Sequence, residues 1–347
     1  MRPIYKVVAD GNNITALLND RLLLLRTLDK SGMESDEFEL RLDDREGAIP
    51  LPSRGALVEL SLGYEGGSLS RLGTFTVDSV QVSGPPDTLV IRGRASSMRG
   101  SGKTVRSGGW EDVPLSRIVA DIASRNGWSP ECRVSVNVPR ADQVQESDFS
   151  FITRLARAHD CTAKIAEGRL LVLPRESGQT ASGVALSAVT LGRAELSRWQ
   201  FRFDDRSAQQ AVKTTYQDQK TGALTVLELA NDDAPAGLPA VHTDRHIHPN
   251  KSAAQAAAKA RLAAFNRSTA AVRLEMPGRT DLFAERSIIV QGLKSGLDGS
   301  YLVESVEHVF TAAGWSTTVE CNAGKRGKAK ARGKGKTKGP LKVLPVG

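Results

Sequence analysis

Three histidines, His242, His246 and His248, fall within one seven-residue stretch. On an extended segment the His246-x-His248 spacing places both imidazoles on one face, which is what a metal ion requires of two neighbouring ligands. Asp244 is the one carboxylate beside them and no cysteine completes the set, so a surface or interface role is the expected one. A phosphate loop is suggested by Gly100-Ser-Gly102-Lys103-Thr104, yet that motif needs glycine where Ser97 stands. The chain also runs on through Ser107-Gly108-Gly109 instead of entering a helix at Lys103. Cys132, Cys161 and Cys321 are far apart and lack a C-x-x-C pair, so neither a disulfide framework nor a thiolate zinc site is indicated. A reducing compartment fits them. No G-x-S-x-G, H-E-x-x-H or catalytic-cysteine signature occurs. No enzyme activity, catalytic residue, cofactor or resident metal is therefore expected.

Charge is the other candidate for chemistry. Lys325, Arg326, Lys328, Lys330, Arg332, Lys334, Lys336, Lys338 and Lys342 put nine cations and no acid into residues 325 to 347. Without them the formal charge of +8 becomes −1, so the body is nearly neutral and nothing in it demands nucleic acid or an anionic membrane. Residues 324–347 read as a basic flexible tail, disordered when alone, that neutralises phosphates non-specifically or orders only against a neighbouring subunit. The first ten residues hold no sustained apolar run, and Leu22 to Leu25, flanked by Arg21 and Arg26, is too short to span a bilayer. A cytosolic product is expected.

The elements that must position these groups are mainly strands. Residues 1–105 show short apolar runs (Ala56 to Leu62, Thr74 to Val82, Thr88 to Arg92) punctuated by Gly63, Gly66-Gly67 and Gly84-Pro85-Pro86, the pattern of a first β-barrel. The period then changes. Leu115, Ile118, Val119 and Ile122 follow Pro114 at helical spacing, and Asn126-Gly127 ends that helix. A second helix begins at Ser147, whose hydroxyl can cap it, with Asp148 in its first turn and Phe151, Ile152, Leu155 and Ala156 as its buried stripe. Two short strands joined at Glu167-Gly168 complete an α+β insert over 106–178. Strand-like runs resume over 190–322, a second β-barrel domain. It is interrupted by an Ala-rich helix that Ser252-Ala-Ala-Gln255 should open as a capping box, packing on the second barrel or its neighbour through Ala257, Ala260, Leu262 and Ala264, among others.

The two β regions share a segment. Gly73-Thr-Phe75-Thr-Val77-Asp78-Ser79-Val80 matches Gly299-Ser-Tyr301-Leu-Val303-Glu304-Ser305-Val306 in type at six positions. In both, the apolar parity slips between the first pair and the later valine, which predicts a bulge at the same point of two related strands. The expected fold class is thus mainly β with an α+β insert: two related β-barrel domains separated by a small helix-hairpin domain.

The stretch from Gly102 through Trp110-Glu-Asp-Val-Pro114 to Gly127, followed by Gln145-Glu146-Ser147-Asp148-Phe-Ser-Phe151-Ile-Thr-Arg154-Leu155-Ala-Arg-Ala-His-Asp160, resembles the late control gene D family of contractile phage tails. Its Glu146-Ser147-Asp148-x-x-Phe151-x-x-Arg154-Leu155 core also resembles VgrG spike proteins of type VI secretion. The resemblance implies a structural baseplate hub. It would be a homotrimer whose six similar barrels adapt the hexameric tail tube to the trimeric spike, in contact with tail tube protein, tape-measure protein and other baseplate proteins. It also implies assembly in the host cytoplasm and then a place in the baseplate. Phage tails and R-type pyocin-like bacteriocins share such hubs, so the resemblance does not separate them. VgrG chains continue into a β-helical spike and some hubs carry a lysozyme domain; here the spike would be another polypeptide, and no segment is left for a lysozyme. The competing reading is an accessory protein that binds nucleic acid or cell wall through the tail or the insert, although nothing looks like a DNA-reading helix.

Overall fold

The computed structural model describes all residues except 96–100, 167, 179–184, 205–207, 219–220, 236–239, 329–341 and 346–347. The first unit contains β1 (Pro3–Ala9), β2 (Asn12–Asn13), the one-turn α1 (Thr15–Leu18), β3 (Leu22–Lys30), β4 (Glu37–Asp43), β5 (Leu57–Tyr64), β6 (Ser70–Ser83) and β7 (Thr88–Ala95). The insert contains β8 (Val105–Pro114), α2 (Leu115–Asn126), β9 (Ser129–Cys132), β10 (Asn137–Ser147), α3 (Asp148–Ala158), β11 (Cys161–Ala166) and β12 (Arg169–Pro174). The rest comprises β13 (Val189–Gly192), β14 (Arg198–Phe203), β15 (Ala211–Gln217), β16 (Leu224–Ala230), β17 (Val241–His248), α4 (Lys251–Arg267), β18 (Ala270–Pro277), β19 (Ser287–Gln291), β20 (Gly299–Thr311), β21 (Gly314–Asn322) and β22 (Lys342–Pro345).

Period-2 patterning builds the first barrel. Along β4, Phe38, Leu40 and Leu42 turn inward and are buried, while outward-facing Glu39 takes Arg41 and Arg92 at 2.9 Å each. Val7, Leu25, Leu60, Phe75, Val77 and Leu89 fill the same core from the other strands. The second barrel is filled by Leu191, Val272, Leu274, Val290, Tyr301, Val303 and Val319, among others.

The order of pairing is duplicated. Reading across hydrogen-bonded neighbours, the first barrel runs β3-β4-β7-β6-β5-β1 and the second runs β14-β18-β21-β20-β19-β13, the same succession in chain order. They differ at one joint: β1 meets β5 antiparallel, whereas β13 meets β19 parallel. The segments paired by sequence, β6 and β20, are the central strands of equivalent meanders. Each carries a register shift just after its shared valine, between Val77 and Ser79 and between Val303 and Ser305. The parity slip is a bulge in both. The barrels are also continuous, because the far half of β20 pairs with β3 to make one thirteen-stranded sheet. Trp315 of β21 crosses that joint into the first core, its ring 5.1 Å from that of Tyr64.

Four expectations need correction. The Ala-rich helix does not lie on the barrel strands: α4 packs on a separate four-stranded sheet, β17-β15-β16-β22, three of whose strands are inserted between β14 and β18 while the fourth, β22, comes after β21. Ala254 and Ala258 contact Val212, Tyr216 and Leu227 there, while Ala264 is exposed. Second, its cap is Asn250, whose side chain accepts from Ala253 N at 2.9 Å, rather than Ser252. Third, Val105 opens a long β8–β10 ribbon of the insert instead of closing the first barrel. Finally, parts of the basic segment are ordered within the chain. Lys325 and Lys328 pack on the body, and the backbone of Lys342–Pro345 pairs antiparallel with β16. Lys330, Arg332, Lys334, Lys336 and Lys338 lie outside the described residues.

Candidate assembly site

The motif residues converge at the start of α3. Ser147, in extended conformation, accepts a hydrogen bond from Ser150 N at 3.2 Å and caps the helix. Glu146 receives Ser150 Oγ at 2.9 Å and Arg154 Nη2 at 2.7 Å, and the Arg154 hydrogen bond holds its carboxyl below the usual glutamate range. Arg154 also donates to Asp142 O at 2.9 Å and lies over the Phe151 ring, which is fully buried and stacked on Trp110. Leu155 joins Ile118, Ile122 and Ile152 in the insert core.

Asp148 does more than its place in the first turn suggests. Its carboxylate is fully buried and accepts from Asn126 Nδ2 at 2.8 Å and Gln143 Nε2 at 2.9 Å. Arg125 and Arg106 flank it at 3.6 and 3.7 Å. One side chain thereby ties the end of α2 and both strands of the β8–β10 ribbon to α3. A buried acid is tolerated because it is both hydrogen-bonded and charge-paired.

Polar junctions, which sequence spacing did not reveal, fasten this insert to both barrels. Lys164 on β11 reaches Asp29 at 2.6 Å and Asp36 at 3.2 Å in the first barrel, and the other oxygen of Asp29 accepts from Ala284 N, beyond β18, at 2.8 Å. Burial pushes the Asp36 carboxyl up to about 6 despite the opposing pull of Lys164. Thr162 donates to Glu285 at 2.8 Å. At the other end Arg267, buried at the close of α4, pairs with Asp160 and, at 3.2 Å, with Glu176. Lys325 approaches Asp160 at 3.4 Å, and Lys328 lies 4.4 Å over the Tyr301 ring. Long-range pairs of this kind leave no periodic trace in the sequence; in the structure Asp160 takes a positive φ of 56° at the corner after α3.

The surfaces of the insert, α4 and both barrels enclose an open cleft of about 1680 Å³, lined by charges of both signs that include Arg140, Asp142, Arg261 and Glu307. Such a lining suits another polypeptide surface better than a small apolar ligand. His246 and His248 stand at this cleft with ring centroids 4.9 Å apart, and His248 Nε2 is 3.5 Å from Asp244. His242 is elsewhere, edge-on to Phe265 at 5.0 Å. Among the described residues, no three metal-ligating side chains converge.

Comparison with known proteins points the same way as the motif. The sequence matches the family described as phage tail baseplate hub (GPD) over residues 32–314. It is 31% identical over 360 residues to a probable baseplate hub protein of Escherichia phage 186, covering 92% of each chain. In fold it is similar to a 43 kDa prophage MuSo2 tail protein from Shewanella oneidensis, with a TM-score of 0.70, 14% identity and 92% and 98% coverage of the two chains. It is also similar to an E. coli type VI secretion component described as structurally like T4 phage tail proteins, with a TM-score of 0.56, 11% identity and 88% and 74% coverage.

Proposed function

The chain belongs to the phage tail baseplate hub (GPD) family, and from that premise we propose that it is the trimeric adapter between the hexameric tail tube and the trimeric central spike. As a baseplate hub protein it is a component of the tail particle. The observation that carries the adapter reading is the duplicated strand order. Three copies of a chain with two like barrels present six similar units to the tube, while the unlike parts, the insert and the α4 layer, keep only threefold symmetry for the spike. The role is structural and not enzymatic, and it places tube protein, spike, tape-measure protein and other baseplate proteins as partners. Assembly takes place in the host cytoplasm.

Support for a nucleic-acid or cell-wall accessory is weaker, since two of the nine tail cations, Lys325 and Lys328, are engaged by the body itself. Electron microscopy of tail particles from a producing strain that lacks this protein tests the proposal. Spikeless or unassembled tails, rescued by supplying the chain, are expected. Intact contractile particles with spikes in its absence would overturn it.

A further inference from the structure

Within one chain the barrels are joined by backbone. β20 of the second pairs antiparallel with β3 of the first, setting Val306 opposite Asp29, His308 opposite Thr27 and Phe310 opposite Leu25. Because the strand order is duplicated, each barrel owns a counterpart of both halves of this joint. The counterpart of β20 is β6, and that of β3 is β14. Cross-strand rows fix the equivalence residue by residue. Leu25, Leu40, Ile91 and Val80 are successive partners in the first barrel, and Trp199, Leu274, Val319 and Val306 in the second.

Both counterparts are open edges among the described residues. β14 pairs with β18 alone, and residues 79–83 of β6 pair with β7 alone. We propose that β14 of one copy adds antiparallel to this β6 edge of a second copy, with Phe203 opposite Val80, Arg202 opposite Gln81, Phe201 opposite Val82 and Gln200 opposite Ser83. The occupant is a second copy of this chain because the internal joint already shows the two mating edges. The trimeric reading above is the premise for how many copies close the ring.

Transferred without adjustment, the register mates apolar with apolar. Phe201 and Phe203 meet Val82 and Val80 on one face, whereas a slip of one residue would set them against Gln81 and Ser83. Exposure agrees. Val82 is 56% exposed, Phe203 41% and Trp199 37%, while Leu25, which holds the place of Trp199 in the finished joint, is wholly buried. On the opposite face the internal joint carries the diagonal ion pair of Arg26 with Glu307. The same two places in the open joint hold Gln200 and Gln81, whose amides can bond without charge. The edge Arg-Trp-Gln-Phe-Arg-Phe carries its two arginines on the face opposite the one that would mate through Phe201 and Phe203, or at its far end, and has no proline or bulge to block pairing. Each copy offers one edge of each kind, so the contact is heterologous and repeats until the ring closes.

Cysteines at positions 82 and 201 test the joint, in the purified chain and in tail particles, with Thr27→Cys/His308→Cys as the within-chain control. A disulfide ladder on a non-reducing gel that stops at three chains is expected. If light scattering gives a trimer and the control closes, but the Val82→Cys/Phe201→Cys pair yields only monomers, this joint is wrong and the trimer stands. A ladder passing three chains keeps the joint and sinks the trimer. Monomers in solution and in particles sink both. As an independent arm, Val82→Asp, at a position 56% exposed in the single chain, should raise the subunit dissociation constant at least tenfold while leaving the single chain's urea midpoint unchanged; undiminished assembly of this variant would reject the joint.

Discussion

Two ionisable groups, the buried His308 and the half-buried Asp36, shape the pH response of the barrels and of the junction between barrel and insert. His308 is 4% exposed where β20 meets β3, with Nδ1 2.9 Å from Thr317 Oγ1, and burial pushes its pKa down to about 4. Since the folded value lies below the unfolded one, its contribution is present above about 6.5 and is lost as pH falls toward 4. Asp36 has the opposite sign: raised to about 6, it favours the fold below about 4 and loses that advantage as pH rises through 6. Relative to the parent chain, His308→Gln should therefore gain stability as pH falls from 6.5 to 4, by at most about 1.4 kcal/mol per unit, and Asp36→Asn should lose it. Urea midpoints across that range check both signs. Asp148→Ala strands Gln143, Asn126 and two guanidiniums, and should cost about 3–5 kcal/mol by the same measurement. Asp148 is legible in the sequence as a first-turn acid, but its partners lie on three other elements, and no spacing rule connects them.

At the scale of elements, legibility followed the contrast between faces. Helices α2 and α3 were readable because Leu115, Ile118, Val119 and Ile122, and then Phe151, Ile152, Leu155 and Ala156, are buried on one stripe each. Their ends were readable too: Gly127 takes φ 73 at the α2 terminus, where a side chain would be strained. The β8–β10 ribbon was not legible, since β8 buries none of its ten residues and so shows no apolar alternation. The α4 layer was misplaced because an alanine helix has little amphipathic contrast; Ala254 and Ala258 are buried only because they let the helix approach β15 closely. Removing the Ser147 cap leaves the Ser150 amide without its acceptor. Ser147→Ala should cost about 1 kcal/mol, read as a lower thermal midpoint with α3 amides exchanging first. Glu146 belongs to the same terminus, so Glu146→Ala should release Arg154 from the helix start and cost about 0.2–1 kcal/mol.

The whole molecule shows where sequence-level reading of the tail fell short. A run of nine cations spaced by glycines has the composition of a solvated segment, but it begins three residues after β21 ends at Asn322 and inherits that strand's surroundings. Asn322 and Ala323 are buried, Asn266 donates to Lys325 O at 2.9 Å, and Lys328 N donates to Thr269 Oγ1 at 2.7 Å. The boundary between body and tail is thus set by contacts with the end of α4 rather than by the onset of charge. Truncation after Ala323 and truncation after Lys328 should consequently differ. The shorter chain loses the Lys325 pairing with Asp160, the Lys328 contact with Tyr301 and both backbone bonds, and should be less stable than the longer one by about 1–3 kcal/mol. Both lack β22 and the six cations from Lys330 to Lys342, so any partner held by that stretch should be lost from both alike. Denaturation midpoints separate the first effect, and co-purification with other tail proteins at low and high salt separates the second. Equal stability of the two truncated chains would show that residues 324–328 merely rest on the barrel, and retention of partners by both would remove the cations from the assembly contact.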